Sequence, residues 1–191
     1  MRAGFPEFRL GSVLATSFTA TLTERRGDPV ERIPVPQRLV DWLAVNGLAV
    51  DSCTTDQLDL ARELRESIHL AATAGALQEA LPASAVQVIN DRSVGGRAAA
   101  TLTPEGTREW RLGSPSRVED ALSVIAADAI SILADERDGR LALCASPTCR
   151  AAFFDTSQSR TRKWCEMNTC GNRQKKARFN AKQREDRSSA G

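Results

Sequence analysis

Four of the five cysteines in this 191-residue chain fall as Cys144-x4-Cys149-x15-Cys165-x4-Cys170, and the last opens the run Cys170-Gly171-Asn172-Arg173. Four soft ligands confined to so short a segment suit one tetrahedral zinc ion, which imposes no geometry of its own and accepts a closed thiolate quartet. Intervals of four are looser than the common two, and Pro147 inside the first pair favours the turn that a knuckle needs. Filling every position with cysteine leaves no open site for water or substrate, so the expected cofactor is one structural Zn2+ and the chain is not expected to be an enzyme. The alternative use of the same cysteines is two disulfides, which requires an oxidising compartment. The segment around the quartet has too few residues to fold without its ion, so chelation is expected to unfold it first.

A hydrophobic content of 41% is enough for a proper core, and the length suits one ordinary domain plus a small module. No apolar run approaches the roughly 18 residues that span a bilayer. Residues Met1 to Thr23 mix Arg2, Glu7 and Arg9 with scattered apolar positions and do not read as a signal peptide. A cytoplasmic protein without a membrane partner is expected. The charge is divided unequally: fifteen Lys and Arg stand against twenty Asp and Glu in residues 1–143, but eleven against four in residues 144–191. The cationic surplus therefore lies in the metal module, as expected of an anion-binding appendage.

Periodicity predicts a mainly α protein. Residues Pro36 to Val45 place Leu39, Val40, Trp42 and Leu43 on one stripe, with Asn46-Gly47 as the stop. A second helix starts at Thr54 or Thr55, where Gln57 completes a capping box, and carries Leu58, Ala61, Leu64 and Ile68 toward an end at Gly75. A shorter helix follows from Pro82 to Asn90. Gly95-Gly96, Pro104 and Gly106 punctuate two extended runs, 99–102 and 107–112, that pair as a small hairpin. Ser114 or Ser116 caps a long helix through about Glu136, with Val118, Ala121, Leu122, Ile125, Ala129 and Ile132 on its apolar face. Leu141 to Leu143 and Ala151 to Phe154 form a second hairpin around the first cysteine pair. Trp164, Phe153, Phe154 and Phe179 are expected to cover the metal. The division is a helical domain over 1–138 and a treble-clef-like zinc module over 139–191, a short hairpin followed by a basic helix, docked near the long helix rather than loosely tethered.

The last helix, about Gly171 to Arg187, carries the functional hint. At about 100° per residue, Arg173, Lys176, Asn180, Arg184 and Arg187 make one polar stripe, and Lys175, Arg178 and Lys182 a second on the opposite side, with Phe179 alone between them. A helix with so little apolar face is not held by core burial, and its length of about 25 Å fits a DNA major groove. Arg173 or Arg184 suits guanine, Asn180 adenine, and the lysines phosphate. Arg160, Arg162 and Lys163, ahead of the third cysteine, are expected to add backbone contacts. An equal role for Arg173 is to brace the module through its carbonyls. Gly171 is expected to permit close backbone approach at the helix start, and Asn172 to close a local hydrogen-bond network. The bland reading of the same helix is a solvated face.

The cysteine pairs, together with Phe154-Asp155-Thr156-Ser157, Arg162-Lys163-Trp164-Cys165-Glu166-Met167 and Cys170-Gly171-Asn172-Arg173-Gln174-Lys175, resemble the CGNR zinc finger. Such fingers are typically joined to an N-terminal ABATE domain in bacterial proteins described as stress-induced transcription regulators. Thr21-Leu22-Thr23-Glu24-Arg25-Arg26-Gly27, Leu39-Val40-Asp41-Trp42-Leu43 and Ile89-Asn90 resemble that domain more diffusely. The resemblance implies double-stranded DNA as partner, with Cys144, Cys149, Cys165 and Cys170 as zinc ligands. One departure stands out: an early Asp-Phe-x-Asn-Thr element reads here as Ser17-Phe18-Thr19-Ala20-Thr21, without the carboxylate and the amide.

The expected function is a zinc-dependent, DNA-binding transcription regulator whose N-terminal domain is a sensor or interaction module, with a small-molecule effector there. A single finger offers few base contacts, so a homodimer or another partner is expected to supply specificity. The rival is a protein-interaction or small-molecule-binding protein whose finger is purely structural. Elsewhere, the lone His69 sits on a helix without a catalytic partner, Cys53 reads as an unreactive thiol, Gly95-Gly96-Arg97 as a loop, and Glu119-Asp120 as a complement to a helix dipole.

Overall fold

The longest helix shows how closely local chemistry sets the elements. In a computed structural model that describes residues 4–113 and 118–188, Thr54 Oγ1 accepts from the Gln57 amide and Gln57 Oε1 accepts from the Thr54 amide, a full capping box. The helix spans Thr55–Leu77 and ends at Gln78 in the left-handed conformation (φ 59°). It passes the stop expected at Gly75 because that glycine serves packing: a Cβ there would lie 2.9 Å from Leu141 Cδ1.

In chain order the described elements are α1 Leu14–Thr19, β1 Leu22–Thr23, β2 Val30–Glu31, α2 Pro36–Val45, α3 Thr55–Leu77, α4 Ala83–Val94, β3 Ala99–Leu102, β4 Arg108–Arg111, α5 Val118–Leu133, β5 Arg140–Leu143, β6 Ala152–Asp155 and α6 Asn172–Ser188. The protein is mainly helical, and its described residues form three two-stranded antiparallel ribbons, β1-β2, β3-β4 and β5-β6. Leu39, Trp42 and Leu43 of α2, Leu58, Ala61, Leu64 and Ile68 of α3, and Val118, Leu122, Ile125 and Ala129 of α5 meet in one buried core. The serines expected to cap α5 lie outside the described residues. At its other end α5 stops at Leu133 rather than Glu136, because Asp135 turns left-handed (φ 58°) and the Glu136 amide reaches back to the Ser131 carbonyl at 3.0 Å.

The hairpin pairs Ala99 with Arg111 and Leu102 with Arg108. Asp120 does more than complement a helix dipole: its carboxylate accepts from the amides of Arg97 and Gly113, each at 2.6 Å, and clamps both ends of the ribbon to α5. Glu119 accepts from Gln57 Nε2 at 3.0 Å and ties the start of α5 to that of α3.

Helix α1 escapes sequence reading because it is six residues long and rich in Ser and Thr. Their hydroxyls donate to nearby carbonyls, Ser17 Oγ to Val13 O at 2.8 Å and Thr19 Oγ1 to Thr16 O at 3.0 Å, and Phe18 lies 5.0 Å from the Trp42 ring. The helix is held by burial of these residues rather than by propensity.

The ribbon β5-β6 packs on α3, and β6 also meets α1. Phe154 belongs to the main core, not to the cover of the metal. Gly139 makes this possible: at φ 153°, a Cβ would come within 2.3 Å of the Phe154 ring. Replacing Gly139 with Ala is therefore expected to lower stability by about 2–4 kcal/mol, through a strained backbone and a displaced buried ring. Thermal unfolding of the zinc-loaded variant checks this; an unchanged midpoint would show that the ring has room to move.

Candidate metal centre and its seam with the helical domain

Each cysteine is placed by a short backbone device. Cys144 follows β5 and its amide donates to Ala151 O at 2.9 Å, extending the ribbon by one step. The chain then turns at Ser146, whose carbonyl accepts from the Cys149 and Arg150 amides at 3.2 Å each. Ala145 N donates to Lys163 O at 2.8 Å and draws the second cysteine pair alongside the first. After Cys165, a π-helical turn over Met167–Gly171 wraps round Glu166 O, which accepts from the amides of Cys170 and Gly171.

The four sulfurs converge to within 4.8 Å of one another, with Cys144, Cys149 and Cys170 buried and Cys165 partly so. The separations are 3.6 Å for Cys149–Cys165 and 3.7 Å for Cys165–Cys170. A tetrahedron with zinc–sulfur bonds of about 2.3 Å has edges of about 3.8 Å, whereas a disulfide is about 2.05 Å. The arrangement fits zinc and not a pair of crosslinks. Contacts among the thiols hold Cys144 toward the ionised form and drive Cys165 and Cys170 toward the protonated one. Four thiolates this close need a central cation to neutralise them, so metal binding and proton release are coupled.

Of the aromatic residues expected around the metal, Trp164 alone packs on the sulfur cluster. Phe153 is buried under the Arg162 guanidinium, which stands 5.2 Å from its ring centroid, Phe154 is in the main core, and Phe179 is exposed. Between the cysteine pairs, the buried Asp155 accepts from the Ser157 amide at 3.0 Å and the Arg162 amide at 2.9 Å, pinning the loop that leads to Cys165. Gly171 does permit close approach: a Cβ would meet Met167 Sδ at 2.3 Å and Trp164 Cδ1 at 3.2 Å. Asn172 opens α6 with its side chain exposed and without a hydrogen bond among the described residues, so it closes no network.

Arg173 does not brace the module through its carbonyls. It reaches across to the helical domain, where Nη1 and Nη2 donate to the two carboxylate oxygens of Glu24 at 2.6 and 3.0 Å. Nη1 also lies 3.0 Å from Thr148 Oγ1, which donates to Glu24 at 2.7 Å, and Arg26 N donates to Thr148 O at 3.0 Å. A buried carboxylate of the helical domain is thus gripped by the first cysteine turn and by the head of α6. The Arg173 hydrogen bond holds the Glu24 carboxyl below its ordinary range. A lowered folded-state pKa gives stability that is present above the unfolded value and lost as pH falls through the folded one. Arg173 is partly exposed, so replacing Glu24 with Gln is expected to cost about 1–2 kcal/mol at neutral pH. The gap from wild type should stay constant above pH 5.5 by thermal unfolding, approximately a unit over the ordinary carboxyl value, and close below about 4.5. The comparison cancels the acid loss of zinc common to both proteins. A gap independent of pH would sink the ionic account.

The other basic candidates divide. Arg160 is paired with Asp138 at the end of the helical domain, and Arg162 Nη2 donates to Cys165 O at 3.0 Å within the module, so both are engaged by the protein itself. Lys163, Lys175, Lys176, Arg178, Asn180, Lys182 and Arg184 are exposed and make no side-chain hydrogen bond or ion pair among the described residues. Arg187 lies on α6 with its side chain outside the described residues. His69 is held neutral, its pKa pushed down to about 4 by burial, and burial raises the Cys53 thiol to about 11. Glu24 and Thr148 carry no local signal of their pairing, because the partners are 124 and 149 residues apart in sequence from Glu24.

No helix of the described residues is long and apolar enough to cross a membrane. No curated protein matches the chain. Residues 140–183 match the model of the CGNR zinc finger, and residues 12–136 that of ABATE, described as "Putative stress-induced transcription regulator"; neither description is of a catalytic domain. With that match covering well over half of its length, and with its cysteines gathered as a finger requires, the chain belongs to the ABATE family and carries a CGNR zinc finger behind the helical domain.

Proposed function

We propose that this protein is a cytoplasmic, DNA-binding transcription regulator in which residues 139–191 contact double-stranded DNA through α6 and residues 1–138 form the sensing or interaction domain. The observation that carries the reading is α6 itself, whose Lys175, Lys176, Arg178, Lys182 and Arg184 stand exposed with no partner among the described residues. Arg173 faces the helical domain, so Lys175, Arg178 and Lys182, on the opposite side of the helix, face away from the body. Lysines there suit phosphates, while Asn180 and Arg184, on the Arg173 stripe but exposed farther along the helix, suit base edges. Arg173 and Arg160 are engaged by Glu24 and Asp138 of the helical domain and Arg162 by Cys165 O, so all three are left out of the contact set. The interface is that of a single short helix, so a homodimer is the natural source of specificity.

Anisotropy of a labelled random-sequence duplex across a salt series tests this. About five phosphate contacts predict a loss of roughly 100- to 1000-fold in affinity between 50 and 200 mM salt. A flat or absent response would favour the second reading, a ligand- or protein-binding domain with a structural finger. Three of the module's arginines already engage the protein itself, which is the observation in that reading's favour.

A further inference from the structure

Among the described residues the ribbon β3-β4 carries no third strand, and outside it only the Asp120 clamp at its base takes hydrogen bonds from the flanking amides. We infer that the free edge of β4 pairs with the same edge of a second copy of this chain, antiparallel about Trp110, so that two ribbons form one four-stranded sheet across a two-fold axis.

The groups that β4 offers follow from its own ladder. Thr103 N donates to Thr107 O at 2.8 Å, which makes these two a hydrogen-bonded pair. Alternation along the register then turns the amides and carbonyls of Thr107, Glu109 and Arg111 toward β3 and those of Arg108 and Trp110 outward. Such an outward row is a template for another strand. Trp110 packs on the main core, so Glu109 and Arg111 point to the opposite face. Both are exposed, and their side chains make no hydrogen bond or ion pair among the described residues.

Charge selects the partner and the register. A pairing of identical edges is defined by what lies on its axis. An axis between two residues sets outward groups against inward ones and builds no ladder. An axis at Arg108 or Arg111 sets that arginine against its own copy, and one at Glu109 brings two carboxylates together. Of the residues of β4, Trp110 alone gives unlike charges: Glu109 faces the partner's Arg111, and Arg111 faces the partner's Glu109. Trp110 exchanges both backbone hydrogen bonds with its copy, and the two ion pairs fall at the closer, non-hydrogen-bonded positions, about 4.5 Å between Cα atoms. The other edge, Ala99-Ala100-Thr101-Leu102, carries no charge and favours no register in this way. Strands of four residues bury little, so the dimer is weak, with a Kd in the micromolar range or above. The inference deepens the homodimer of the DNA-binding reading by naming its surface, but the pairing itself needs no DNA.

The test is sedimentation velocity on the full zinc-loaded chain without DNA, up to about 1 mM. The unaltered chain is expected to shift from monomer to dimer with concentration. Glu109→Arg and Arg111→Glu, each of which sets like charges together at both positions, should each raise the dissociation constant by at least about 10-fold. An equimolar mixture of the two variants should associate again, because an edge with two cations then meets an edge with two anions. Both side chains are exposed, so zinc content and the unfolding midpoint should not move, and recovery in the mixture excludes a folding defect as the cause of the loss. A chain that stays monomeric throughout, single variants that associate as the unaltered chain does, or a mixture that stays apart would each overturn the assignment. A monomer that still binds duplex strikes this surface alone, and a dimer without DNA affinity strikes the reading of α6 alone.

Discussion

Removing the zinc is expected to unfold the finger and leave the helical body folded. Among the described residues, the cysteine cluster with Ala151 is the one buried cluster of the finger outside the main core, and Trp164 is its one aromatic cover. Without the ion, clustered thiols that resist joint ionisation offer no attraction to replace it. The core built from α2, α3 and α5 owes nothing to the metal. Phe154 anchors β6 in that core, so the β5-β6 ribbon should outlast the segment from Ser157 onward. A strong chelator should change Trp164 fluorescence and open residues 157–188 to protease while most helical circular dichroism persists. Replacing Cys149 with Ser should lower zinc affinity by at least about 100-fold, the upper end of what removal of a mere outer-sphere partner costs. Identical protease maps with and without metal would overturn the structural role.

Reversing two charges on α6, Lys182→Glu with Arg184→Glu, is expected to weaken duplex binding by about 100-fold or more at low salt and to reduce the salt slope by roughly 2. Both side chains are exposed and lie far along the helix from Arg173. The substitution should therefore leave zinc content and thermal stability as they are. Retained DNA affinity in the double variant would remove α6 from the interface. An affinity lost together with the zinc would point instead to a structural lesion.

The elements that were legible in the sequence are those whose cause is local. The capping box at Thr54 and Gln57, Pro36 at the first turn of α2 and the apolar stripe of α5 act within a turn or two of chain, and each helix follows from them. The same holds for the cysteine spacing, because a tetrahedral site built from two knuckles constrains residues close in sequence. Helix α1 was not legible: six residues rich in Ser and Thr are held by the Trp42 ring and by Asp128, which receives the Ala15 amide from more than a hundred residues away. The exact ends of α3 and α5 were not legible either, since Gly75 and Asp135 answer to packing and to a left-handed turn that periodicity does not register.

What the sequence by itself determined is the chemistry of the parts: a thiolate quartet for one zinc ion, a basic helix behind it and helices with defined apolar faces. What only the tertiary structure decided is where the charges go. Arg173 stands on the helical wheel among residues suited to DNA, yet it ends on Glu24, and Arg9, Arg162 and Glu166 meet around a cavity that no segment contains alone. A guanidinium reaches any acceptor within several ångströms, and which acceptor stands there depends on how two distant stretches of chain pack. Spacing along the chain fixes a ligand set when the ligands are neighbours; an ion pair across a seam is fixed only by the seam.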